Sequence, residues 1–577
     1  MLITQLQNIF TTPISQNSNQ NQSRWIVIFW YSLSLAFAII YILLGVRQAF
    51  SSKYIVSDDA REYISWIYRY FNSDLFSEDL IADYFQSITP IGYGLLYKIV
   101  VALNIDPVFF SKIFPIFLGI ITTSYCFLVC LQIFPIPMTG FIASLLLNQS
   151  LCLHDDLFSG TPRDFIYPLF LAFLYYFIRF SKLGILIAIA LQALIYPIIA
   201  FIDLLIVFLT LFDWRNKQIN VSRNRQSFIL FLAATLVVGI TILPYTIQSS
   251  KFAPVITAAV ARTMPDYWDG GRVSFFSHNI ISYWFDGRDS GFFALIAPPQ
   301  LLLGLLLPII LKFKSHFPLS QQIQTKIKIL PRVVIASLIM FFTAHLIAFK
   351  LHWPSRYTHH TFKMVFALAA AIFITLILDA VWQWLRQRGG KNLILSTIAI
   401  LFIGLISYPS SLKVFPKTPY VEAKVPELYN FLQKQPQNIV IASTSEEADS
   451  IPIFAQRKIL VGKEYALPIH TKYYAQFHRR MLDLIAAQYS EDINQINNFI
   501  QKYHISFWLL ERSAFVPEYI AKNSWLQQYQ PAAEQAIAKL NKTQPILATL
   551  INSCTVFAAD NLVLLNTSCI EATQPKK

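Results

Sequence analysis

Cysteine, glycine and charge are all scarce in this chain of 577 residues, which has 5 Cys, 17 Gly and only 14% charged residues. The cysteines form no CxxC pair and no zinc spacing, which argues against a redox dithiol or a structural zinc site. A phosphate-binding glycine loop is missing as well: Gly92-Tyr93-Gly94 lacks the third glycine and the preceding strand of a dinucleotide fingerprint. Residues 1–24 are polar and Gln/Asn-rich, with neither a cationic start nor a small-residue cleavage site, so they are expected to be a cytoplasmic tail with no cleaved signal peptide. Acids are the rarer charge, 32 Asp and Glu against 46 Lys and Arg. The basic excess lies in short loops between apolar runs and forms no single patch, so it reads as membrane topology and not as a nucleic-acid surface.

What is abundant is apolar surface. A 55% hydrophobic fraction and a mean hydropathy of +0.48 lie outside the range of globular chains, and the bilayer is the natural solvent. About 20 apolar residues cross the hydrocarbon core as a helix. Runs of that kind occur at 25–46, 108–131, 137–153, 164–181, 183–197, 198–212, 227–249, 292–313, 331–350, 362–384 and 392–410, so about eleven spans are expected. The fifth and sixth are one apolar run divided near Tyr196 and Pro197, where proline removes a backbone donor.

Alternate loops differ in charge. One set holds Arg179, Lys182, Arg215, Lys217, Arg223, Arg225, Lys312, Lys314, Lys326, Lys328, Arg332, Arg386, Arg388 and Lys391 against the single acid Asp213, and is therefore expected to be cytoplasmic. The opposite set contains the long segments 47–107 and 249–291, mixed or acidic and rich in aromatics. These, with everything after residue 410, are expected outside the cytoplasm. Residues 411–577 resemble a small α/β domain in pattern: strand-like runs at 438–443, 457–462, 506–510 and 561–566 alternate with helical stretches at 474–488 and 491–503. In that domain Cys554 and Cys569 allow a disulfide in an oxidising compartment, or two buried thiols.

The first outer segment, 57–85, opens with Asp58 and Asp59 about a dozen residues after the first span. An adjacent acidic pair at that depth can hold a divalent cation or offer a carboxylate base, and it can equally cap a following helix. Tyr63, Ile67, Tyr70 and Phe71 recur at helical spacing, which predicts an amphipathic helix lying on the bilayer. A second acidic pair, Asp155 and Asp156, precedes Arg163, and reads either as cation ligands or as a solvated turn. Arg356 lies in the segment 350–363 with His352, His359 and His360, where a guanidinium suits a phosphate or simply anchors a helix end; the two adjacent histidines read as interfacial. Pro354 is expected to place Arg356 on a loop beside the headgroups. In 249–291, Tyr267 and Trp268 can stack on sugar rings or belong to an aromatic belt. Asp203 and His345 are ionisable residues inside apolar runs, near span ends.

A first span, then a long outer loop opening on an acidic pair, then many spans and a C-terminal domain resembles the membrane glycosyltransferases of the GT-C fold. The resemblance implies a polytopic α-helical membrane protein, multi-pass in a bacterial inner membrane, that takes a sugar from a polyprenyl-phosphate carrier and passes it to a glycan, lipid or protein acceptor on the outer face. It implies a catalytic role for Asp58 or Asp59, substrate binding by Arg163, Arg356, Tyr267 and Trp268, and, as in the metal-dependent members, Mg or Mn on Asp155 and Asp156 together with the first pair. A transporter and a non-catalytic envelope scaffold are the competing classes; the sequence shows no paired repeats of Gly- or Pro-broken spans, and its acidic and aromatic residues gather outside.

Overall fold

The computed structural model describes residues 10–14, 20–215, 218–293, 297–388 and 391–573. Among them, five helices are long and apolar enough to cross a membrane: Arg24–Ala49, Pro107–Ile133, Arg225–Ser249, Thr325–Leu346 and Arg356–Gln387. Shorter apolar helices pack with these, including Pro137–Cys152, whose residues are all buried, and Ile166–Ile178. The run at 183–212 is divided into Lys182–Ile195 and Pro197–Phe208, because Pro197 has no N–H to continue the first helix.

The expected span at 292–313 is different. Its described residues form a 3-10 helix, Pro299–Leu306, continued by one α-helical turn, Leu307–Ile310. Pro298, Pro299 and Pro308 each remove a donor from the ladder a full span would need. The segment instead lies against Arg356–Gln387 at close range: a β-carbon on Gly304 would sit 3.0 Å from the Phe366 carbonyl oxygen. Arg356–Gln387 is the central helix of the bundle, and most of its residues are buried.

The first outer segment also departs from expectation. It forms a one-turn helix, Ala60–Ile64, a 3-10 stretch, Ser65–Tyr70, and a helix, Leu80–Ile88, capped by Asp79, whose Oδ1 accepts the Ala82 N–H at 2.7 Å. No single amphipathic helix lies along the bilayer. Ile67 is fully buried while Phe71 stays 45% exposed, and Tyr84 stacks on Tyr473 of the C-terminal region with ring centroids 3.6 Å apart.

Strands β1 (Ile55–Ser57), β2 (Phe212–Arg215), β3 (Gln218–Val221), β4 (Tyr420–Glu422), β5 (Val440–Ser443), β6 (Lys458–Ile459), β7 (Phe507–Glu511), β8 (Thr555–Ala559) and β9 (Leu562–Asn566) make three sheets. β2 and β3 form a hairpin. The C-terminal sheet has the order β6-β5-β7-β9-β8, parallel from β6 to β7 and antiparallel beyond, with the helices Thr471–Gln488 and Ile493–Tyr503 crossing between β6 and β7. A disulfide joins Cys554, the last residue of the helix before β8, to Cys569 in the short helix after β9. Most consequential for the site is β1, which pairs antiparallel with β4, while the Asp58 N–H donates to the Pro419 carbonyl at 2.9 Å. The acidic pair is thereby fixed where the membrane helices meet the C-terminal region.

Candidate functional site

Asp58 and Asp59 follow β1 directly. Asp59 stands at the N-cap position of Ala60–Ile64, yet its side chain accepts no capping hydrogen bond. Its Oδ2 instead accepts from Arg163 at 3.0 Å, and the same guanidinium nitrogen donates to Asp155 Oδ2 at 2.6 Å. Arg163 thus occupies the place between the first acidic pair and Asp155. The loop that delivers it turns at Gly160, whose φ of +64° lies in the left-handed region. A β-carbon there would approach that of Ala60 to 3.3 Å, so glycine lets this loop lie against the first outer segment. Tyr93, from the Gly92-Tyr93-Gly94 motif, donates to the Gly160 carbonyl, which gives that motif a packing role.

Asp156 turns elsewhere. It is buried against Lys363, with His360 Nδ1 at 3.5 Å, and His360 also meets the Tyr167 hydroxyl at 2.9 Å. His360 is therefore an interior residue, whereas an interfacial one is expected from sequence. His359 contacts the Gly291 carbonyl at 3.0 Å.

Asp58 forms an ion pair with Arg61, which also donates to Glu464 at 3.1 Å. Arg272 continues the network, reaching Glu464 at 2.7 Å and Glu62 at 3.0 Å. Glu464 comes from the C-terminal region and lies far from Glu62 and Arg272 in sequence. Burial pushes the Glu62 carboxyl well above the ordinary carboxylate range, and Glu464 pushes it the same way while Arg272 opposes. Asp58 is raised by burial first and by Glu464 second. Beneath them, burial lifts Asp449 to about 7; its Oδ2 accepts the Glu464 N–H at 3.2 Å. The ligand atoms of Asp58, Asp59 and Glu464 lie within 4.8 Å of one another, the one such group among the described residues.

Asp59, Glu62, Arg163, Arg272, Arg288 and Arg356 line a polar chamber of about 160 Å³. Arg356 is the first residue of the helix Arg356–Gln387 and not a loop residue; its guanidinium lies 3.7 Å from Asp289 Oδ1. The chamber thus receives the positive end of a 32-residue helix as well as guanidinium groups, an arrangement that suits an anion. His352 borders it with a left-handed backbone, φ 63°. Burial, then Arg356, lowers this imidazole to about 3, so it is neutral. Its Nδ1 accepts the Trp353 N–H at 2.8 Å, which leaves the proton on Nε2 as a donor.

The chamber shares Tyr63, Tyr196, His352 and Trp353 with a larger and more apolar cavity of about 340 Å³, which continues past Pro197, Phe201, Ile242 and Tyr245 along the membrane helices. The break at Tyr196–Pro197 opens onto both. Tyr267 and Trp268 line neither. Tyr267 is buried and donates to the Pro468 carbonyl at 2.8 Å; Trp268 stacks on His278 with centroids 4.6 Å apart. Asp203 and His345 also lie outside both linings. Glu62, Arg272, Asp289 and Glu464 were not singled out in the sequence. Glu62, one helical turn after Asp59, has a local signal; the other three have none.

No family model matches this chain, and no curated protein matches it. Among solved structures, the Archaeoglobus fulgidus oligosaccharyltransferase in its apo form superimposes with a TM-score of 0.50 and 12% identity, over 87% of this chain and 72% of that one. Oligosaccharyltransferase AglB from the same archaeon, in complex with an inhibitory peptide and a dolichol-phosphate, gives a TM-score of 0.52 and 12% identity over 89% and 72%. The chain has the GT-C fold. At that identity the likeness is one of fold, and it agrees with the apolar helices in making this GT-C protein an integral membrane protein. The chemistry has to be argued from the chamber itself.

Proposed function

We propose that the protein is a membrane glycosyltransferase that moves a sugar from a polyprenyl-phosphate carrier to an acceptor on the extracytoplasmic face. The observation that carries this reading is the junction of two cavities: one lined by Asp59, Glu62 and Asp289 with four guanidinium groups, the other mostly by apolar side chains of membrane helices. A lipid phosphate has both halves, a charged head and an isoprenoid tail. The neighbour AglB has been solved with a dolichol-phosphate, a ligand of that kind.

In this reading Asp59 takes the proton from the acceptor hydroxyl as the new glycosidic bond forms. Arg163 and Arg356 hold the departing phosphate, and His352 Nε2–H offers a further donor to it. Asp58 is tied to Arg61 and does not line the chamber, so of the two acids Asp59 is the base. Asp58, Asp59 and Glu464 have the hard oxygen donors that Mg or Mn prefers, and such an ion would add positive charge beside the phosphate. In this reading about eleven crossings, with the short helices and the 3-10 segment Pro299–Ile310 counted among them, leave the tail at 1–24 in the cytoplasm and the C-terminal domain outside; the Cys554–Cys569 disulfide supports an oxidising compartment there.

Radiolabelled polyprenyl-phosphate sugars supplied to the purified protein test the reading, and Arg356 variants test the phosphate site. Arg356→Ala is expected to raise the donor KM by about 1–3 kcal/mol of lost contact, with Arg356→Lys intermediate because it keeps charge but not the planar fork. Acceptor KM should change little. Equal donor KM in all three enzymes would assign Arg356 to helix anchoring alone.

Orientation has its own test. Cysteine at Gln387 should be protected from an impermeant maleimide in intact cells, and cysteine at Lys522 should react; both positions are exposed, and Cys126, Cys130 and Cys152 are buried. Labelling at 387 from outside would place the chamber in the cytoplasm and sink the proposed chemistry.

A further inference from the structure

The C-terminal sheet carries a second polar cavity that the reading above does not use. Strand β5 is parallel to both neighbours, β6 and β7. The chain leaves β5 toward β6 and leaves β7 toward the β8–β9 side, so the connections part above the carboxyl ends of β5 and β7. In open α/β sheets this divergence leaves a crevice in which ligands bind. A cavity of about 410 Å³ lies there: Thr444 and Ser445 follow β5, Glu511 ends β7, and Tyr519, Asn523 and Asn561 complete the wall. An adjoining cavity adds Val516, an apolar side chain 46% exposed, beside the half-buried Tyr519.

The chemistry of this wall points to one class of ligand. The two cavities hold the carboxylates of Glu446, Glu447, Glu511, Glu518 and Asp560 against the ammonium groups of Lys424, Lys463 and Lys522; Lys463 pairs with Glu446 and Glu447 is buried against Tyr429, and the acidic excess disfavours a polyanion. Hydroxyl, amide and carboxylate groups beside an aromatic ring and an exposed aliphatic patch suit the hydroxyls and C–H faces of sugars. The crevice is also close to the chamber along the chain: Lys463 faces it, while the next residue, Glu464, faces Arg61 and Arg272.

We propose that this crevice binds a neutral saccharide segment of the acceptor, beyond the sugar that reacts at Asp59. The proposal rests on the glycosyltransferase reading, and binding can be measured without transfer. The full-length protein in nanodiscs would be applied to an array of neutral, uronate-bearing and sulfated glycans of three to eight sugars, with hexalysine as a basic peptide probe. Neutral glycans should be retained by the wild type and equally by Asp59→Asn. Retention should fall roughly tenfold or more in Tyr519→Ala and in the isosteric Glu511→Gln, with thermal midpoints reporting that both variants fold. Preference for anionic glycans or for hexalysine, no retention of any neutral glycan, or retention unchanged in both variants overturns the proposal. Loss of transfer in Asp59→Asn together with any of those results would leave the enzyme reading standing and remove the crevice from it.

Discussion

Asp59→Asn is expected to lower the rate of sugar transfer by roughly 10²- to 10⁴-fold, the range typical of removing a positioned general base, with little change in thermal stability. The amide is isosteric and can still accept a hydrogen bond from Arg163, whose guanidinium nitrogen lies 3.0 Å from Asp59 Oδ2. What it cannot do is take a proton. Asp58→Asn serves as the comparison, because Asp58 is equally acidic in sequence but is paired with Arg61 and is not among the residues lining the chamber. Its effect should be several-fold at most when transfer is measured without added divalent cation, where Asp58 has no ligand role. Single-turnover measurements with saturating lipid donor separate the two, since they read the chemical step without product release. A full rate in Asp59→Asn would move the base elsewhere in the chamber, with Glu62 the next carboxyl in its wall.

Arg272→Ala is expected to be the most destabilising single change at the junction of the membrane helices and the C-terminal domain. Arg272 reaches both Glu62 and Glu464, each of them buried. Removing one partner of a buried ion pair costs about 3–5 kcal/mol, and the loss falls on Glu62, which loses the guanidinium facing it, while Glu464 keeps Arg61 at 3.1 Å. The loss should depend on pH in a definite sense. Burial and Glu464 already raise the Glu62 carboxyl, so the folded state binds a proton that the unfolded chain releases in the same range. Stability from that proton is present below the unfolded value and is lost as pH rises through the folded one. Without Arg272 the shift grows. The melting midpoint of Arg272→Ala should therefore lie furthest below wild type near pH 8 and recover part of the difference near pH 5. A deficit that does not change with pH would mean that Arg272 acts through packing alone.

The GT-C plan is legible in the amino-acid sequence by itself, because bilayer burial leaves a one-dimensional record. Apolar runs, basic loops on one side and an acidic pair after the first run are local patterns set by the cost of placing charge in hydrocarbon, and most of those runs are helical in the structure. The same holds for the break at Pro197 and for the alternating strands and helices of the C-terminal region. Local pattern misled where protein replaced lipid as the covering surface. Ile67 has the spacing of a bilayer-bound helix, yet protein covers it completely while Phe71 stays exposed; residues 299–310 are apolar enough for a span, but their prolines leave a 3-10 segment packed against the central helix. Which charges meet is the part that only the tertiary structure decided. Arg163 joins Asp59 to Asp155, Lys363 takes Asp156 out of that group, and Glu464 arrives from the C-terminal region to share Arg61 and Arg272 with the first loop. A carboxylate carries no mark in the sequence of the guanidinium it will face. That choice follows from β1 pairing with β4 and from the fold of the loop at Gly160, which bring together residues separated by hundreds of positions.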